Sequence, residues 1–292
     1  KGILYPAVLR ETQQYSTQRI GEVKEIKGDF SSFSAVELVD QNPIGKSSRS
    51  NPVTYVKAYD AIRELFSTMP IAKQRGFKTK HFSFNVDGGR CDNCQGEGDE
   101  VVEMQFMADL HLTCEECNGK KFKEEVLEVE FKQKSIYDVL NLTVEEAVDF
   151  FRGQKTIVNK LLPLQEVGLG YVKLGQSSNS LSGGEAQRIK LATFLGKSQN
   201  KDKVLFIFDE PTTGLHFHDI KKLLKSFNAL IDKGHSVVVI EHNLDVVKCA
   251  DWVIDLGPEG GDRGGELMFA GTPEDLAKSK KSVTGQFLKE KM

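Results

Sequence analysis

The chain has 292 residues, 39% of them hydrophobic and 28% charged, with a net charge of −3 and five cysteines. Those proportions are globular; no run approaches the ~18 apolar residues of a membrane span, and no global positive field announces nucleic acid. Five clustered cysteines are too few for a secreted disulfide scaffold, and the opening KGILYPAVLR lacks the features of a signal peptide, so the expected location is cytoplasmic.

In chain order, residues 34–40 (SAVELVD) predict a short strand running into NPIGKSSRSNP, a loop by its Pro, Gly and Ser content. Tyr59, Ile62 and Phe66 fall on one stripe of an amphipathic helix. Residues 71–80 turn basic and read as a boundary. Val102, Met104, Phe106, Ala108, Leu110 and Leu112 alternate as in a bent strand or hairpin, and Leu127, Val129 and Phe131 alternate with Glu128 and Glu130 as in a half-exposed strand. Thr143 and Glu146 form the capping box of a helix. From residue 181 the pattern is α/β: VLFIF (204–208) predicts a central strand covered on both faces. A helix striped by Ile220, Leu223, Leu224, Phe227, Leu230 and Ile231 follows, with Gly234 at its C-terminal cap. SVVVI (236–240) predicts a second buried strand, followed by a short helix (243–250), in which Cys249 reads as a core residue, the strand DWVIDL and a glycine-rich hairpin ending in ELMFA. Strand, helix, strand, helix, strand implies parallel pairing.

Three places carry chemistry. In LSGGEAQR, Ser182, Gly183 and Gly184 stand before a helical run, so a phosphate could approach unpaired N–H groups at the positive end of the helix dipole; a plain Ser-capped helix is the alternative. Asp209 and Glu210 end an apolar strand at the edge where open α/β sheets bind ligands, although a solvated acidic turn would look the same. His242 follows the strand 236–240, where a neutral imidazole can donate one hydrogen bond and accept another. Cys91-x2-Cys94 and Cys114-x2-Cys117, nineteen residues apart, have the spacing of a closed structural zinc site; redox chemistry is the rival, and His81 and His111 are ligands only if a cysteine is spared. Lys73, Arg75, Lys78, Lys80 and Arg90 crowd the approach to the first pair and read on their own as a solvated basic loop, with a phosphate-contacting surface as the alternative.

The ordered set of Gln41, LSGGEAQR, VLFIFDEP, PTTGLHFHD and IEHN resembles the ABC ATPases. With the cysteine insert, and with NPIGKSSRSNPVTY, FSFNVDGGRCDNCQGEG and DWVIDLGPEGG, the chain is similar to the C-terminal half of the UvrA family of bacterial excision-repair ATPases. The resemblance implies an α/β ABC-type P-loop ATPase core with a mixed or parallel sheet, interrupted by a helical signature region and a zinc-binding β-hairpin insertion. Its segments would be 1–70 (Q-loop region), 71–135 (basic stretch and zinc insertion), 136–180 (helical signature region) and 181–292 (signature, Walker B, D-loop and switch histidine). It implies that Asp209 holds Mg²⁺ through water, that Glu210 orients or deprotonates the attacking water, that His242 senses the γ-phosphate and that Gln41 touches Mg²⁺ and water. Ser182, Gly183, Gly184 and Glu185 would complete ATP bound at the other module. It also implies ATP and structural Zn²⁺, lesion-bearing double-stranded DNA, dimerisation and loading of UvrB. One element is missing: the only GKS is Gly45-Lys46-Ser47, with Asp40 where a P-loop needs its first Gly. Lys46 therefore reads as a loop lysine, and the true Walker A is expected upstream of Lys1. A transporter ATPase subunit and a cysteine-rich module similar to that of DnaJ chaperones are the rival readings.

Overall fold

An apolar run such as 204–208 needs cover on both faces, and the computed structural model of the protein provides it. The structure describes residues 2–12, 20–45, 47, 49–102, 104, 110–196, 203–259, 261 and 264–292. Lys46, Phe106 and Ala108 lie outside the described residues. The strands are β1 (Ala35–Val39), β2 (Asp99–Val102), β3 (Leu110–Thr113), β4 (Glu130–Phe131), β5 (Lys134–Ser135), β6 (Val204–Asp209), β7 (Ser236–Ile240), β8 (Val253–Gly257) and β9 (Glu266–Gly271). The chain forms two compact units, Lys1–Leu38 with Asp202–Met292, and Val39–Lys201.

In the first unit β1, β6 and β7 form a sheet with β6 at its centre. β6 runs parallel to β7, in register from Leu205↔Ser236 to Asp209↔Ile240. Leu205 and Ile207 turn to one face and pack with Val36 and with Val8 and Leu9 of the helix Leu4–Glu11. Phe206 and Phe208 turn to the other. The Phe208 ring lies 4.7 Å from Phe227 on the helix Phe217–Asp232, and the Phe206 ring 5.4 Å from His235. The fold is therefore α/β with a parallel sheet between helical layers.

Three expectations change in detail. β7 is not a buried strand: Val238 and Ile240 are 38% and 37% exposed. By register they share the face of Leu205 and Ile207, but β7 is the edge of the described sheet and lacks neighbours that cover its centre. β8 does not continue the parallel ladder; it pairs antiparallel with β9, and Ile254, Leu256 and Leu267 are exposed. In the stretch 127–131, Leu127 ends the helix Glu124–Leu127, and Val126 and Val129 are fully buried at a helical spacing that overrides the period-two pattern.

The second unit is largely helical. The helix Ala58–Ser67 buries Tyr59, Ile62 and Phe66, the stripe read from the sequence. Capping boxes close the helices that start after Asn51, Ser135, Thr143 and Ser182, each satisfying backbone donors that a helix start leaves open. Tyr59 joins this helix to the segment before the cysteines: its ring lies 5.1 Å from Phe84, and its hydroxyl donates to the Phe82 carbonyl at 2.7 Å. β2 and β3 form the antiparallel hairpin foreseen between the cysteine pairs, but every described position in them is exposed. Among the described residues the two strands are therefore an exposed ribbon and not a face laid on the core.

Tyr59→Phe keeps the ring packing and leaves the buried Phe82 carbonyl without its donor. We expect a loss of about 1–3 kcal/mol, read as a lower urea midpoint; an unchanged midpoint would show that the hydroxyl is dispensable.

Candidate functional site

The parallel register sets Asp209, the last residue of β6, opposite Ile240, the last of β7, so the two following loops start side by side. The Glu210 N–H donates to the Ile240 carbonyl at 2.8 Å. Glu210 itself is left-handed (φ +46°), a conformation that non-glycine residues seldom adopt. His242 Nε2 comes to 3.5 Å from Glu210 Oε1, with the two side chains 83% and 50% exposed. A carboxylate and an imidazole thus face solvent together at the C-terminal end of a parallel sheet, where such sheets bind ligands.

Sequence reasoning passed over Glu241. Its Oε1 accepts from the Thr212 N–H (2.9 Å) and hydroxyl (2.6 Å), and its Oε2 from the N–H groups of His242 (2.9 Å) and Asn243 (3.0 Å). The available signal was an acid just after a buried-looking strand and before two turn amides.

The glycine-rich motif lies in the second unit. Ser182 caps the helix Gly183–Leu195: its hydroxyl accepts from the Glu185 N–H at 3.3 Å, and Glu185 Oε2 accepts from the Ser182 N–H at 2.8 Å. Tyr171, also unforeseen, donates its hydroxyl to Glu185 Oε1 at 2.7 Å and lies 3.4 Å from Arg188. Burial opposes ionisation of Glu185, but these donors and the Arg188 charge outweigh it and hold the carboxyl below its ordinary range. A Cβ on Gly183 would come within 3.0–3.2 Å of Gln41, so Gln41 and the motif are immediate neighbours. Gln41, Ser182, Gly183, Gly184 and Glu185 thus stand in one unit, and Asp209, Glu210 and His242 in the other.

The four cysteines converge. Cys91, Cys94, Cys114 and Cys117 are buried, with all Sγ atoms within 4.8 Å of one another. Cys91–Cys114 and Cys94–Cys117 are separated by 3.9 and 3.6 Å, far beyond a disulfide's ~2.05 Å. A tetrahedral ion with ~2.3 Å bonds to sulfur has edges of ~3.8 Å, so the cluster fits a metal ion held by four thiolates. Gln95-Gly96 and Asn118-Gly119 are left-handed after each pair, and a Cβ on Gly96 would strike the Phe84 carbonyl at 2.2 Å. The Gly98 N–H and the Asn93 amide reach Cys94 and Cys114 sulfurs at 3.3 and 3.4 Å. Burial pushes the Cys91 thiol up to about 12. At Cys114 burial acts the same way, but the Cys117 N–H, the Asn93 amide and the Glu116 N–H outweigh it and bring the thiol to about 7. His81 hydrogen-bonds to Lys78 and His111 is exposed on β3, both outside the cluster.

Lys73, Lys78 and Lys80 are exposed. Arg75 bonds to Glu128 and to the Glu125 carbonyl (2.8 Å), and Arg90, its side chain 13% exposed, pairs with Asp87 at 2.6 Å and Gln95 at 2.8 Å. Cys249, expected in the core, is exposed, its thiol donating to the Asp245 carbonyl at 3.3 Å; the helix there is only Leu244–Val247, and Cys249 falls past its end.

No family model matches the chain. It is 52% identical over 291 residues to UvrABC system protein A of Aquifex aeolicus, an alignment covering 99% of this chain and 31% of that protein. With UvrABC system protein A of Clostridium perfringens the identity is 54% over 270 residues, covering 92% and 28%. The crystal structure of UvrA2 from Deinococcus radiodurans superposes with a TM-score of 0.84 and 46% identity, covering 90% of this chain and 32% of that one. The chain thus spans about a third of the length of the relatives it matches. No described helix is long and apolar enough to cross a membrane.

The purified chain is expected to carry one metal ion per molecule. Cys91→Ser or Cys114→Ser should abolish it by elemental analysis and expose the hairpin to protease; a metal-free preparation with a protected hairpin would disprove the assignment.

Proposed function

We propose, on the premise that this chain is a segment of a UvrA-type protein, that it is the second nucleotide-binding module of a DNA-damage recognition ATPase in excision repair. The observation that carries this reading is the pairing, in one chain, of Glu210 and His242 at the head of a parallel sheet with a closed four-cysteine cluster. A transporter ATPase subunit has no use for the cluster, and a cysteine-rich interaction module has none for β6 and β7.

In this reading Asp209 holds Mg²⁺ through water and Glu210 takes the proton of the attacking water, with His242 beside it. Gln41 and the segment 182–185 face nucleotide, the latter completing the site of another module. The edge of β7, unpaired among the described residues and with Val238 and Ile240 uncovered, suits the additional strand that would carry a Walker A loop. Residues 71–135 form the zinc insertion and 136–180 the helical signature region. Bound there, Zn²⁺ supplies a structural cross-link, since four thiolates leave no open coordination position. Lys73, Lys78 and Lys80 contact DNA phosphates. Arg75 and Arg90, already paired with acids, contribute mainly by shaping that surface. Dimerisation and loading of UvrB are further proposals from the family.

Two experiments test this in the full-length parent. Glu210→Gln should retain ATP binding and lower turnover at this module about 100-fold or more, while the 292-residue chain alone hydrolyses ATP only at background; hydrolysis by the chain alone, lost with Glu210→Gln, would refute the need for an external loop. Replacing Lys73, Lys78 and Lys80 by Ala should weaken binding to damaged and undamaged duplex alike. The slope of log affinity on log salt should flatten by ~0.9 for each phosphate that is no longer neutralised; an unchanged slope would remove these lysines from the interface.

A further inference from the structure

Glu241 is the one carboxylate among Asp209, Glu210 and Glu241 to which the proposed chemistry gives no task. It is half-buried, and its two oxygens accept hydrogen bonds from two loops that are 29 residues apart in sequence. Below it the strands are already tied by the bond from Glu210 N–H to the Ile240 carbonyl. The carboxylate adds a second tie at the level of the loops themselves. One side grips Thr212, in the tight turn where the Thr213 N–H reaches the Glu210 carbonyl at 3.2 Å. The other side grips the two amides that carry His242 and start the helix Leu244–Val247. All four partners are donors, so the group must be an acceptor on both oxygens; an amide in its place would point an NH₂ at N–H groups.

We propose that Glu241 is a positioning residue that links the 211–214 turn mechanically to His242, so that a displacement of that turn by a partner module resets the distance between His242 and Glu210. The catalytic consequence rests on the ATPase reading above; the mechanical link does not. A displaced Thr212 carries Glu241 Oε1 with it, and because the carboxylate is rigid and planar, Oε2 moves against the amides of residues 242 and 243. Glu210 and His242 stand on the two loops so joined, and their 3.5 Å approach is the quantity that the link would control.

Amide hydrogen exchange, resolved residue by residue on the chain as it stands, tests the mechanical link. Glu241→Gln should speed exchange at residues 212, 242 and 243. The decisive variant is Thr212→Val, which removes only the hydroxyl bond on the far loop and leaves Glu241 in place. It should speed exchange at residues 242 and 243 by ~3-fold or more, with exchange in β6 unchanged as the control for global unfolding. Thr212→Val that loosens its own turn and leaves residues 242 and 243 as in the unaltered chain would overturn the proposal. In the full-length parent, Glu241→Gln should lower kcat for ATP by ~10-fold while KM moves less than ~3-fold, and its effect should be non-additive with Thr212→Val. Altered exchange with unaltered kcat would overturn the link to catalysis. A parent that hydrolyses no ATP would refute the ATPase reading, and the exchange result would still decide the mechanical link.

Discussion

The parallel ladder between β6 and β7 is the constraint on which the candidate site depends. Its register pairs Asp209 with Ile240, so both strands end at one level and the loops that carry Glu210 and His242 start next to each other. A shift of one residue would move every side chain of one strand to the opposite face. That would turn Leu205 and Ile207 away from Val8 and Leu9 and would place Phe206 and Phe208 against the wrong helix. Core packing therefore holds the register, and the register sets the geometry of the acids and the imidazole. The left-handed Glu210 fits this account: its N–H must reach back to Ile240 while the chain turns sharply into the 211–214 segment.

The second unit is organised around helix starts. Asn51, Ser135, Thr143 and Ser182 each close a capping box with the residue three positions on. At Ser182 the box has a further consequence. Glu185 is used on both sides, by the cap and by Tyr171, so its carboxylate is fixed at the helix start. Gly183 stays small for a separate reason, since a Cβ there would press within 3.0–3.2 Å of Gln41.

The cysteine cluster and the basic stretch share one problem, the handling of charge. Burial raises the Cys91 and Cys117 thiols, and burial is only locally outweighed at Cys114. Four buried thiolates need a cation to coexist, which is the physical argument for metal. Around them the arginines are spoken for, Arg75 by Glu128 and Arg90 by Asp87, whereas Lys73, Lys78 and Lys80 remain exposed. Planar guanidinium groups fix the local structure, and flexible ammonium groups are left for solvent or a polyanion.

Features set by short-range rules were legible in the sequence. The CxxC spacing, the capping boxes, the stripe of Tyr59, Ile62 and Phe66, and the apolar run of β6 all depend on offsets of one to seven residues, which backbone geometry converts directly into contacts or faces. The acids and the histidine that follow the apolar strands were legible as well, and Glu210 and His242 do come to 3.5 Å. What only the tertiary structure decided was exposure and long-range pairing. An apolar strand reads the same at an edge as in the centre, so the uncovered Val238 and Ile240 could not be foreseen, nor could the exposure of the β2–β3 ribbon or of Cys249. Glu128, the acid that pairs with Arg75, and Thr212, the far partner of Glu241, lie 53 and 29 residues away in sequence. Burial and ion pairing belong to whatever the fold brings alongside a residue, and the residue's own neighbours in the chain do not specify it.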